Sequence, residues 1–132
     1  MASILRVNTL TDASSNNSIA TSNIFSGSAK SWSSLNQDSS GHPVYDSHNV
    51  ASTADEGDGE TTITFTNNMS NANYAISGTA QSEAEGGAGL HVIGKDSSDP
   101  MTTSKYRTDV RDSSGNNRDT LYVSSSIHGD LA

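Results

Sequence analysis

The side chains with the widest chemical range in this chain are four histidines, His42, His48, His91 and His128. An imidazole ligates metals and moves protons near neutral pH, but metal centres need such ligands at short, defined spacing. No two of these stand at i, i+2 or i, i+4, so they read as loop or solvent-facing side chains and no metal is assigned. The acidic run Asp55-Glu-Gly-Asp-Gly-Glu60 offers oxygen ligands, yet it lacks the EF-hand order of ligands with glycine at its sixth position. It reads as a tight acidic hairpin turn, and the run Glu83–Gly87 reads as a flexible acidic loop. Ser, His and Asp are all abundant, but no Gly-x-Ser-x-Gly elbow occurs to present a nucleophile. Carboxylates and histidines without a shared pocket define no reaction. The expectation is therefore a protein that is not an enzyme and carries no cofactor. Trp32 and the four tyrosines have the chemistry of a carbohydrate platform; the reading preferred for them is packing in the core or at a subunit interface.

These residues are spread along one chain of 132 residues, enough for one domain. The charge is −8 and the seven Lys and Arg are scattered, which argues against nucleic acid, whose phosphates call for clustered basic side chains. There is no cysteine, and no apolar run approaches the ~18 residues that read as a membrane span. The opening Met-Ala-Ser-Ile-Leu-Arg-Val lacks the basic-then-apolar pattern of a signal peptide. Only 31% of residues are hydrophobic, with two Phe and one Trp. So thin a supply predicts a core completed by identical neighbours.

The segments that must hold these side chains are extended. Between Asp55 and Ala80 the order is turn, strand, loop, strand. Ile63 and Phe65 oppose Thr62, Thr64 and Thr66, and Tyr74, Ile76 and Gly78 oppose Ala75, Ser77 and Thr79, the two-residue period of half-buried strands. This stretch predicts an antiparallel pair. Further strands are expected at 29–36, where Trp32 and Leu35 face opposite ways, and at 44–54, 89–95, 103–111 and 119–127. Asp112–Arg118, with Gly115 at a left-handed position, reads as a hairpin connection. No segment has sustained helical periodicity. The sum is an all-β domain, an antiparallel β-sandwich or barrel-like unit of six to seven strands over residues 29–132. Residues 1–28, polar with scattered apolar anchors, read as an extended N-terminal arm.

Several pieces of the chain resemble one family. Ile4-Leu-Arg-Val-Asn-Thr-Leu-Thr-Asp-Ala-Ser-Ser15 looks like the short attachment segment that opens many small β-domains of tail-fibre and other virion structural proteins of marine bacteriophages, especially those infecting cyanobacteria. Ala29-Lys-Ser-Trp32, Asp46-Ser-His-Asn-Val50 and Asp55-Glu-Gly-Asp-Gly59 follow in that family's order. Phe65-Thr-Asn-Asn-Met-Ser-Asn-Ala-Asn-Tyr-Ala75 is the most specific match, and Ser126-Ile-His-Gly-Asp130 is similar to the family's closing strand. Ser33, Ala54 and His128 depart from its usual residues.

The resemblance implies a structural or adhesive virion component on the tail or capsid surface, a homotrimer that meets other virion proteins and a host-surface glycan. Its leading form is a short tail fibre or fibre tip; the alternatives are a capsid decoration (head-fibre) protein and a lectin-like module. The expected docking residues on the arm are Ile4, Leu5, Val7, Leu10, Ile19, Ile24 and Phe25. The expected core or interface residues are Trp32, Ile63, Phe65, Tyr74 and Ile76. The loops 37–43, 81–88 and 96–102 are expected to be exposed contacts to a host surface.

Overall fold

Alternation along successive segments sorts apolar from polar side chains, and two sheets close over the apolar sets. The computed structural model describes residues 6–15, 17–81, 90–92, 101–112 and 114–132, with only the backbone of 90–92. A small hairpin pairs β1 (Thr9–Thr11) with β2 (Ser18–Ala20), and a short helix α1 (Thr21–Gly27) follows. The remaining strands are β3 (Ser31–Leu35), β4 (Val44–His48), β5 (Val50–Gly57), β6 (Glu60–Phe65), β7 (Ala75–Ala80), β8 (Leu90–Val92), β9 (Lys105–Arg111) and β10 (Val123–His128). They form two antiparallel four-stranded sheets, ordered β4-β3-β10-β7 and β5-β6-β9-β8.

The inward faces follow the two-residue period. The first sheet contributes Leu35, Val123 and Ile127, with Ile76 partly buried against them; the second contributes Ile63, Phe65, Tyr106 and Val110. The Phe65 ring lies 5.6 Å from that of Tyr74, edge-on, and 5.4 Å from that of Tyr106. The Tyr106 hydroxyl crosses between the sheets to Ser125 Oγ at 2.8 Å and Ser33 Oγ at 3.4 Å, and those two serines are 3.0 Å apart. A polar Ser33 on an inward position therefore has a partner, as a buried hydroxyl requires.

The chain is the expected all-β sandwich, and the described strands form no closed barrel. Among the described residues the two main sheets hold eight strands, because the 44–54 segment divides. At Asn49 the backbone turns left-handed, φ 58°, and the chain leaves the first sheet as β4 and joins the second as β5. Asn tolerates that conformation because its short polar side chain bonds locally. Here Asn49 Oδ1 accepts from Asn67 N at 2.7 Å, and Asn49 Nδ2 donates to Asn67 O at 3.0 Å.

Two expected pairings are replaced. β6 and β7 do not pair with each other: β6 lies between β5 and β9, and β7 pairs with β10 in the opposite sheet. Ile63 and Ile76 thus enter the core from opposite sheets, which alternation alone cannot distinguish from side-by-side pairing. Likewise Asp112–Arg118 is a closed turn, with Gly115 at φ 85°, but it does not join paired strands, since β9 and β10 belong to different sheets. The tight hairpin is at Asp58-Gly59 between β5 and β6, as the acidic run predicts.

The arm carries more structure than an extended segment. Asn17 Nδ2 donates to Asp12 Oδ2 at 2.8 Å across the β1–β2 turn, and Thr21 Oγ1 reaches Val7 O at 3.1 Å. No residue of α1 is buried. Lys30 joins it to the sandwich: its backbone N donates to Ile127 O at 2.8 Å, and its ammonium sits 3.8 Å over the Phe25 ring and bonds the Phe25 carbonyl.

Candidate binding face

The outward face of the first sheet is built by strand register. Two rows of side chains cross its four strands: His48, Trp32, Ser126 and Ser77, then Asp46, Ser34, Ser124 and Thr79. Ser77 Oγ and Ser126 Oγ are 2.9 Å apart. Trp32, Ser34, Ser77, Thr79, Ser124 and Ser126 line a shallow depression of about 440 Å³. Trp32, expected in the core or at a subunit interface, lies outside this chain's own core and is 37% exposed. The reason is parity. Leu35 and Trp32 face opposite ways, and Leu35, wholly buried, takes the inward side with Ser31 and Ser33.

The same alternation carries Tyr122 outward, since Val123 beside it is fully buried. Gln81 N donates to Tyr122 O at 2.8 Å, so the β7–β10 ladder continues to that level. The Tyr45 ring packs 5.1 Å from the Tyr122 ring, and Tyr45 Oη donates to Leu121 O at 3.3 Å. Both rings are about half exposed.

The second sheet's outward face differs. There Arg107 pairs with Glu60, and Arg107 and Arg111 lie 3.9 and 3.8 Å from Asp109. No Lys or Arg stands in the two rows of the first sheet.

Of the loop 37–43, expected to be exposed, Asp38, Ser40, Gly41 and Pro43 are exposed, while Gln37 and His42 fold inward. Gln37 and His42 are each 1% exposed, so His42 is also no solvent-facing histidine. His42 Nδ1 is 2.7 Å from Thr61 Oγ1, and its Nε2 is 3.5 Å from Asp55 and 3.8 Å from Asp119. Gln37 Nε2 donates to Thr61 Oγ1 at 2.9 Å and to Gly59 O at 3.0 Å. Hydroxyl, imidazole and carboxylate stand in the order of a nucleophilic triad, but Thr61 is completely buried and already takes the Gln37 amide. The cluster seals the end of the sandwich around the Asp58-Gly59 turn. Its residues are polar, so no apolar periodicity marks them in the sequence, and a histidine directly before a proline carries no signal of burial.

Ile63, Phe65 and Tyr74 are buried as expected, and Ile76 is partly buried. Burial pushes the phenols of Tyr74 and Tyr106 up, with Tyr106 adding to the effect on Tyr74 and the Ser125 and Ser33 hydroxyls opposing it at Tyr106. On the arm, Val7, Leu10, Ile19, Ile24 and Phe25 are all exposed, Phe25 by 54%. Ile4, Leu5, and the loops 81–88 and 96–102 except for Gln81, Met101 and Thr102 lie outside the described residues, as do the side chain of His91 and the acidic run Glu83–Gly87. Among the described residues no group of three His, Asp or Glu side chains is placed to hold a metal ion, and no helix is long and apolar enough to cross a membrane. Compared with known proteins, the chain matches no family model, no curated protein and no solved structure.

Proposed function

We propose that this chain is a non-enzymatic structural and adhesive protein of a bacteriophage virion, a short tail fibre or fibre-tip domain that assembles as a homotrimer and docks to the particle through residues 1–28. The observation that carries the reading is the arm. Five large apolar side chains are exposed on the arm: Val7 just ahead of the hairpin, Leu10 and Ile19 on it, and Ile24 and Phe25 on the helix. Exposed apolar side chains grouped on one element mark a surface that another protein covers. The sequence resemblance, with its attachment segment in the same place, supports the same role, and the small supply of hydrophobic residues supports a trimer.

The test uses the full chain with Leu10→Ser, Ile19→Ser and Phe25→Ser together. These positions are outside the core, so the variant keeps its β-sheet circular dichroism. It is expected to be missing from assembled particles while the unmodified chain is incorporated. Sedimentation equilibrium of the unmodified chain is expected to give three copies. A folded monomer at every concentration, or particles that take up the variant normally, would overturn the reading. Electron microscopy of the particle distinguishes a tail position from a capsid decoration.

A further inference from the structure

We infer that the outward face of the β4-β3-β10-β7 sheet binds a neutral linear oligosaccharide, with Trp32 as the platform at one end and the Tyr45–Tyr122 pair at the other. This deepens the adhesive role proposed above, and it can fail or stand independently of how the arm docks.

The geometry gives three matching features. Trp32 is level with Ser126 by register, and Tyr122, just ahead of β10, lies four residues before Ser126. At ~3.3 Å per residue the two aromatic ends are about 13 Å apart. That distance suits a short chain of sugars rather than a single ring. Ser126 and Ser77 stand beside Trp32 in its row, and Ser34, Ser124 and Thr79 form the row between it and the tyrosine pair; their hydroxyls both donate and accept, as the hydroxyls of a sugar do. The aromatic rings offer flat apolar area to the C–H face of a pyranose at little conformational cost.

Charge and composition exclude the other occupants. With no Lys or Arg in its rows, Asp46 at its edge and −8 on the chain, the face repels phosphates and acidic polymers. A second copy of the chain is a poor match, because stable interfaces are depleted in serine and carry clustered apolar side chains at their centre. Here the centre is serine and threonine, and the aromatic side chains sit at the two ends.

Trp32 is the single tryptophan, so its fluorescence reports this face directly. The full chain is titrated with cellohexaose, chitohexaose, maltohexaose and xylohexaose, with isothermal calorimetry in parallel and a neutral-glycan array to extend the panel. One class is expected to shift Trp32 emission saturably. Trp32→Ala is expected to abolish the calorimetric signal with its circular dichroism unchanged. Tyr122→Ala is expected to weaken the hexaose at least fivefold while leaving the matching disaccharide unaffected. The inference is overturned if no neutral glycan binds at millimolar concentration, or if Trp32→Ala binds as well as the parent. It is also overturned if Trp32 emission shifts only on dilution, which would mean that another copy covers the face.

Discussion

Replacing Gly59 by alanine separates backbone strain from close packing, because Gly115 supplies the control. Both glycines are left-handed, at φ 72° and 85°. A Cβ on Gly115 would meet nothing within 4 Å. A Cβ on Gly59 would lie 2.4 Å from Val110 O and 2.8 Å from Arg118 N, both backbone atoms with no rotamer to give way. Gly115→Ala therefore costs only the left-handed penalty, about 1–2 kcal/mol. Gly59→Ala adds the displacement of a turn held by three bonds: Val110 N to Gly59 O at 2.8 Å, Gln37 Nε2 to Gly59 O at 3.0 Å, and Gly59 N to Asp119 Oδ1 at 2.7 Å. At ~1 kcal/mol each, their loss brings the total to about 4–5 kcal/mol, a large share of the ~5–15 kcal/mol stability usual for a domain. Urea unfolding followed by far-ultraviolet circular dichroism measures both variants. Gly59→Ala should lower the midpoint far more than Gly115→Ala, or fail to yield folded protein. Equal midpoints would refute the claim that the β5–β6 turn is locked against β9.

Three further outcomes follow from the packing. Leu35→Ala, at a fully buried site facing the opposite sheet, should cost ~2–5 kcal/mol in the same urea experiment. The raised phenol of Tyr106 leaves stability unchanged below the ordinary tyrosine value of ~10. Above it only the unfolded chain ionises, so stability falls by up to ~1.4 kcal/mol per pH unit; Tyr106→Phe should flatten that alkaline limb. Asp112 is held at about 2, chiefly by the Asn116 amide, with the Asn116 side chain, Arg118 and Ser114 adding bonds. Its contribution is present above the usual ~3.9 of aspartate and lost as the pH falls through about 2, and a carboxyl carbon-13 titration should place its midpoint there.

Local rules read this chain well where one residue type had one physical meaning. Asp58-Gly59 and Gly115 were legible as turns because positive φ favours glycine, and the period of two separated Ile63 and Phe65 from Thr62 and Thr64. Alternation gives two faces without saying which is inside; Leu35 and the Ser33–Tyr106–Ser125 contact claim the inner side of β3, which leaves Trp32 outside this chain's own core. The change of sheet at Asn49 carries no glycine or proline, and two strands were therefore read as one. Pairing partners depend on which sheet a strand joins, which is settled by contacts distant in sequence. Of the candidate face, the aromatic residues were visible; that serine and threonine would line up between them depended on the β3–β10 and β10–β7 registers.

The first sheet places its latest strand at its middle: β10 separates β3 from β7. A ribosome making this chain releases Trp32 and Gly78 long before Val123–His128 exists to join them. Until then both waiting strands show open edges, the kind of surface on which extended chains stick to one another. A message cut short before codon 123 would yield a product prone to aggregation instead of a smaller working domain, and a chaperone that shields nascent extended segments would raise the yield of the complete one.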